Sequence, residues 1–123
     1  MRYLLDTHIL LGWLADNKKL QEKTMELIKN PDNQIFISVA SAWEMSIKSK
    51  IGKLSLGTSI QDCFESSGFL VLDIVLNHVL ELDKLPPYHQ DPFNRILIAQ
   101  AKVEGLILVS DDIKIKKYDL RIA

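Results

Sequence analysis

Short apolar runs bounded by turn formers alternate in this sequence with longer stretches whose apolar residues recur every three to four positions, and this alternation limits the fold more than any other feature. The runs Arg2–Leu5, Ile35–Val39, Phe69–Asp73 and Leu106–Val109 have the length and composition of strands. Between them, Ile9, Leu10, Trp13 and Leu14 fall on one helical stripe within 7–15, and Leu20, Met25, Leu27 and Ile28 mark a second helix that ends in Asn30-Pro31-Asp32-Asn33. From Ala40, Trp43, Ile47 and Ile51 repeat every four residues until Gly52 stops the helix, a stripe expected to face the core. Shorter helices are expected at Ile60–Phe64 and at Leu76–Leu85, the latter ended by Pro86-Pro87. Asp91-Pro92 opens a helix that runs to about Glu104 and is closed by Gly105. Strand and helix in alternation predict an α/β fold with a parallel or mostly parallel sheet covered on both faces, in which ligands bind outside the carboxyl ends of the strands.

At 123 residues the chain is the size of one domain, expected to span 1–123. Its 47% hydrophobic and 25% charged residues are the mixture of a globular protein. The longest apolar stretches fall well short of the roughly 20 residues a membrane helix needs, and the start shows no signal-peptide pattern, so a cytoplasmic location is expected. Cys63, the single cysteine, excludes an internal disulfide and a CxxC metal site and reads as a small buried apolar residue. With a net charge of −1 the whole-molecule field does not draw the protein onto a phosphate backbone, so nucleic-acid binding has to be local.

The acids are placed more pointedly. Asp6 and the pair Asp111-Asp112 each follow an apolar strand, so the fold carries them to the same edge of the sheet. Glu44 and Asp91 are further candidates that sequence alone does not place there. Carboxylates gathered in one cleft raise each other's pKa unless a cation neutralises them, and the natural cation for oxygen ligands is Mg²⁺ or Mn²⁺. Such an ion activates water and offsets charge on a phosphate under in-line attack, which is phosphodiester hydrolysis.

Four segments carry a resemblance to a known family: Tyr3-Leu4-Leu5-Asp6-Thr7-His8, Ser41-Ala42-Trp43-Glu44-Met45-Ser46-Ile47-Lys48, His89-Gln90-Asp91-Pro92-Phe93-Asn94-Arg95 and Leu108-Val109-Ser110-Asp111-Asp112. In order and spacing they resemble the strand-plus-Asp opening, the WE-x-x-x-K helix, the H-x-D-P-F-D-R segment and the T-x-D ending of PIN domains, in particular the VapC-type toxin ribonucleases of type II toxin–antitoxin pairs. The resemblance implies a three-layer α/β/α sandwich around a central parallel sheet, endoribonuclease activity with Mg²⁺ or Mn²⁺, RNA as substrate, a small antitoxin as partner, and a homodimer. It also implies that Asp6, Glu44 and Asp112 are metal-site acids, Asp111 being the neighbour of the matching residue. Asn94 stands where the family has its second Asp. An amide oxygen can bind Mg²⁺ directly or through water, with one negative charge fewer, and Asp91, one turn earlier, is placed to compensate. The metal set is therefore Asp6, Glu44, Asn94 and Asp112, and the catalytic set Asp6, Glu44, Asp91 and Asp112, with metal-bound water attacking the phosphodiester.

Plainer roles stand beside these. Asp91 before Pro92 is equally a helix N-cap, Asp6 is placed to cap the helix from Thr7, and Asp111 or Ser110 a turn toward Lys114. Glu44 and Lys48 have the spacing of a helical ion pair. His8, His78 and His89 share no zinc-ligand spacing. Lys48, Lys50 and Lys53, and Lys114, Lys116, Lys117 and Arg121, read mainly as solvated charge that is also able to grip RNA phosphates. Trp13, Trp43 and Phe93 are conceivable stacking platforms, but Trp43, in line with Ile47, is better assigned to the core. A signalling receiver domain, suggested by Phe69-Leu70-Val71-Leu72-Asp73, puts its acidic pair after the first strand, whereas here the pair comes late. The remaining alternative is a PIN-like protein-binding module whose metal site has weakened at Asn94.

Overall fold

The computed structural model describes residues 1–15 and 20–123. Strands β1 (Arg2–Leu5), β2 (Gln34–Ser38), β3 (Leu70–Leu72) and β4 (Ile107–Val109) form one sheet in the order β3-β2-β1-β4, with every pairing parallel. Helices α1 (Thr7–Leu14), α2 (Glu22–Lys29), α3 (Val39–Lys50), α4 (Ile60–Ser67), α5 (Leu76–Lys84) and α6 (Pro92–Glu104) alternate with them as the sequence pattern predicts. Among the described residues no helix is long and apolar enough to cross a membrane.

Alternation along the strands divides the core into two layers. Leu4, Phe36, Leu72 and Leu108 point to one face, packed by Ile96, Leu97 and Ala101 of α6, by Leu82 of α5, and by Ile115 and Tyr118. Leu5, Ile35, Ile37 and Val109 point to the other, against Ile9 and Leu10 of α1, Ile28 of α2, Met45 of α3 and Cys63 of α4, so Cys63 is buried as expected. This is the three-layer α/β/α sandwich. Beyond β4, the last residues cover its outer edge, with Leu108 N–H donating to Arg121 O at 3.0 Å and Ala123 N–H to Leu108 O at 2.9 Å. The sequence pattern held no sign of this pairing.

Helix α3 departs from expectation. Trp43 is 61% exposed, Ile47 40% and Ile51 59%, so the stripe assigned to the core faces outward. The helix buries Ala40, Ser41, Glu44 and Met45 instead. The physical reason is position: α3 starts at the carboxyl end of β2, where its inward face meets polar groups as well as the core. A second apolar stripe, Leu76, Val79 and Leu80 of α5, is also exposed. The two stripes meet at an apolar depression of about 230 Å³ lined by Trp43, Val79, Leu82 and Phe93, where Trp43 and Phe93 pack edge to face with centroids 5.0 Å apart.

Gly105 ends α6 in the left-handed region at φ 66°, its N–H donating to Ala101 O, with open space where a Cβ would stand. Gly105→Ala is therefore expected to cost only the backbone conformation, about 1–2 kcal/mol, measured as a lower urea midpoint with unchanged slope.

Candidate active site

In the strand order β3-β2-β1-β4 the direction of winding reverses between β1 and β4, and a crevice opens there beyond the carboxyl ends of the two strands. Asp6 and the Asp111-Asp112 pair flank that crevice, as their positions after apolar strands imply. Asp6 continues the β1 ladder, its N–H donating to Val109 O at 3.1 Å. It also caps α1, accepting from Ile9 N–H at 2.8 Å. Only 3% exposed, it has a carboxyl pushed above its ordinary value by burial; hydrogen bonds from Ser110 and Ile9 offset this in part, and the charge of Asp111 adds to it.

Glu44 enters from α3 and is 5% exposed. It pairs with Lys48 one turn on, Nζ to Oε2 at 2.6 Å, so the helical ion pair forms, but with a buried carboxylate rather than a surface one. Thr7 and Ser41 join α1 to α3 beside it through hydroxyls 2.9 Å apart.

The opposite wall is the start of α6. Asp91 is its N-cap: Oδ1 accepts from Phe93 N–H at 2.8 Å and from Asn94 N–H at 3.3 Å. The amide group of Asn94 lies 3.1 Å from Nε2 of His89, and the same ring nitrogen lies 2.8 Å from Oδ2 of Asp112. Oδ1 of Asp112 accepts from Lys114 N–H at 2.9 Å and Oγ of Ser110 accepts from Asp112 N–H at 3.1 Å, so Ser110, as expected, and Asp112 together hold the turn toward Lys114. Desolvation acts to raise the Asp112 carboxyl, but the hydrogen bonds from His89 and Lys114 outweigh it and hold the group below its ordinary value.

Asp6, Glu44, Asp91, Asn94, Asp111 and Asp112 all line one cleft of about 390 Å³, together with Thr7, His8 and Lys48. Every site residue named from the sequence is thus on its wall. Among the described residues, however, no three His, Cys, Asp or Glu side chains stand together as a ready metal cluster. The local bonds account for this: Lys48 holds Glu44, His89 and Lys114 N–H hold Asp112, and the helix caps engage Asp6 and Asp91. The donor set nevertheless fits a hard divalent cation in kind, since it offers several carboxylate oxygens around a buried acid whose ionised form needs a countercharge.

His89, weighed from the sequence only as a zinc ligand and set aside, bridges Asp112 and Asn94, a role the sequence did not suggest. Lys48, read as the ion-pair partner of Glu44 and as a lysine able to grip RNA phosphates, faces the cleft. The other candidates lie elsewhere: His78 is packed at 1% exposure, accepting from Val75 N–H, and Trp13 packs on Phe69 with centroids 6.1 Å apart. A larger groove of about 550 Å³, lined by Leu11, Leu14, Leu20, Leu54 and Leu56, adjoins the cleft through His8 and Asp111.

Among solved structures, the chain is similar to VapBC2 from Rickettsia felis bound to a DNA fragment from their promoter, with TM-score 0.75 and 20% identity over 100% of this chain and 98% of that one. It is similar to VapBC-1 from nontypeable Haemophilus influenzae at TM-score 0.69 and 19% identity, over 100% and 97% of the two chains. FitAcB from Neisseria gonorrhoeae follows the same fold at TM-score 0.63 and 15% identity, over 98% and 95%. No curated protein matches the sequence. A family model described as PIN domain matches residues 3–120, nearly the whole sandwich including all four acidic segments, and the chain belongs to the PIN domain family.

Proposed function

We propose that this chain is a metal-dependent endoribonuclease and the toxin of a VapBC-type pair. The observation that carries the reading is the single cleft at the sheet's switch point, into which separate parts of the chain bring Asp6, Glu44, Asp91 and Asp112. Asp6, Glu44 and Asp112 are the residues that would hold Mg²⁺ or Mn²⁺, and the bound ion would supply an activated water and a Lewis acid at the phosphodiester. Asp6 brings a buried charge fixed by the α1 cap, and Asp91 adds Oδ2 to the field of the cleft while Oδ1 anchors α6. Lys48 neutralises Glu44 from a half-exposed position at the rim, where its ammonium also meets an incoming phosphate. Purified protein should cleave a mixed pool of tRNA and single-stranded RNA with Mg²⁺ or Mn²⁺ and not with chelator. Intact RNA under every condition, from folded protein, would favour the second reading, a protein-binding module, for which Asn94 in place of an acid and the exposed apolar stripes speak.

The likeness in fold to VapBC complexes supports a small antitoxin as partner in the cytoplasm. The apolar groove beside the acidic cleft suits an amphipathic segment carrying an Arg or Lys into the acids. We assign the other apolar face, Trp43 and Ile47 of α3 with Val79 and Leu80 of α5, to a second copy of the chain. Light scattering at micromolar concentration is expected to show a dimer, and Trp43→Glu with Val79→Glu a folded monomer. A monomeric wild-type chain would remove the assignment.

A further inference from the structure

His89 is nearly buried at the start of the segment leading into α6, and its surroundings fix which ring nitrogen carries the proton. The N–H of Asp91 donates to Nδ1 at 3.1 Å, so Nδ1 is the acceptor and Nε2 bears the hydrogen. That hydrogen has an acceptor in Oδ2 of Asp112 at 2.8 Å. The backbone cannot drift from this arrangement, because His89 N–H donates to the Tyr118 hydroxyl at 2.8 Å and Arg95 reaches the His89 carbonyl at 3.5 Å.

The amide of Asn94 meets the same Nε2–H. With Nδ2 at 3.1 Å two donors would face each other, whereas a half-turn of the amide puts Oδ1 against the imidazole and leaves the amide N–H groups directed away from it. We propose that His89 is a positioning residue that holds the Asp112 carboxylate and turns the Asn94 amide, so that Asn94 presents N–H donors to the cleft. Such a group suits a nonbridging phosphate oxygen of RNA and does not suit a cation. Asn94 then contacts substrate, and the metal rests on Asp6, Glu44 and Asp112. This inference rests on the nuclease reading above and deepens it.

The test combines imidazole ¹⁵N spectroscopy, Mn²⁺ calorimetry and steady-state RNA cleavage on the wild type, His89→Ala, His89→Gln and Asn94→Ala, with thermal melts to confirm folding. Long-range ¹H–¹⁵N spectra should show His89 protonated on Nε2. His89→Ala should bind Mn²⁺ roughly 10–100-fold more weakly, the usual effect of removing a partner that orients a ligand. His89→Gln, whose amide N–H can reach Asp112, should recover most of that loss. Asn94→Ala should keep wild-type Mn²⁺ affinity while raising KM for RNA about tenfold or more. A proton on Nδ1, or unchanged Mn²⁺ affinity in His89→Ala, overturns the positioning role; a Mn²⁺ affinity that falls with Asn94→Ala overturns the donor role. A wild type that neither binds Mn²⁺ nor cleaves RNA overturns the nuclease reading and both assignments with it.

Discussion

Asp6→Asn is expected to abolish RNA cleavage and, at the same time, to raise the melting temperature of the metal-free protein. The loss should be at least on the order of 100-fold, because even outer partners of a metal ligand cost 10–100-fold when removed, and Asp6 is the most deeply buried acid of the cleft. Asparagine keeps the cap, since its side-chain oxygen can accept from Ile9 N–H as Asp6 does. What it removes is the charge. The folded-state pKa of Asp6 lies above the unfolded value, so the native chain binds the proton more tightly. Its contribution to stability is therefore present at low pH and falls as pH rises from the unfolded pKa through the folded one, leaving an ionised, destabilising group at neutral pH. Asp112 has the opposite sign: held below its ordinary value, it contributes stability above the unfolded pKa that is lost as pH falls through the folded one. Melts of wild type and Asp6→Asn from acid to neutral pH in chelator should diverge as pH rises, and added Mn²⁺ should stabilise the wild type alone. Cleavage retained in Asp6→Asn would remove Asp6 from the mechanism.

Arg95→Met is expected to lower stability by about 2–4 kcal/mol, or roughly 10 °C in melting temperature. The guanidinium collects Pro86 O at 2.9 Å, Leu85 O at 3.3 Å, Leu82 O at 3.4 Å and His89 O at 3.5 Å, and it donates to the Tyr118 hydroxyl at 3.2 Å. Two of these are carbonyls at the end of α5: Leu82 O also accepts from Leu85 N–H at 3.2 Å, whereas Leu85 O, at the C-cap, has no partner within the helix. The others brace the segment that carries His89. Water takes over some acceptors once Arg95 is gone, which keeps the cost well below the sum of five bonds. Arg95→Lys should recover little, since a single ammonium cannot reproduce the planar fork. Methionine preserves most of the apolar stem, so the melt isolates the polar contribution. A Met variant melting within about a degree of wild type would show that the braces are dispensable.

The order of elements was legible because each boundary has its own chemistry: Asp91-Pro92 at the start of α6, Gly105 at its end, and apolar runs for the strands. Asp6 and Asp112 were legible because a residue following a parallel strand goes to a known edge of the sheet. Trp43 was misread because a four-residue repeat tells which residues share a face and not what that face meets. On α3 the stripe is turned to solvent while Glu44 is turned inward. His89 was missed for a different reason. It lies outside any regular element, and its partner Asp112 is remote in sequence, so no local period records the contact.

The strand order has a consequence in time as well as in space. β1 is the first strand to be made, yet its neighbour β4 is the last of the four, and Asp111-Asp112 follow β4. The cleft cannot close until that pairing is made, and closing so long a loop is a late, entropically opposed event. At ordinary synthesis rates the wait between Asp6 and Asp112 is roughly 5–20 s. A cleft wound in this order stays incomplete while the chain is being made, and its carboxylates come together only after β4 and the Asp111-Asp112 pair behind it have emerged.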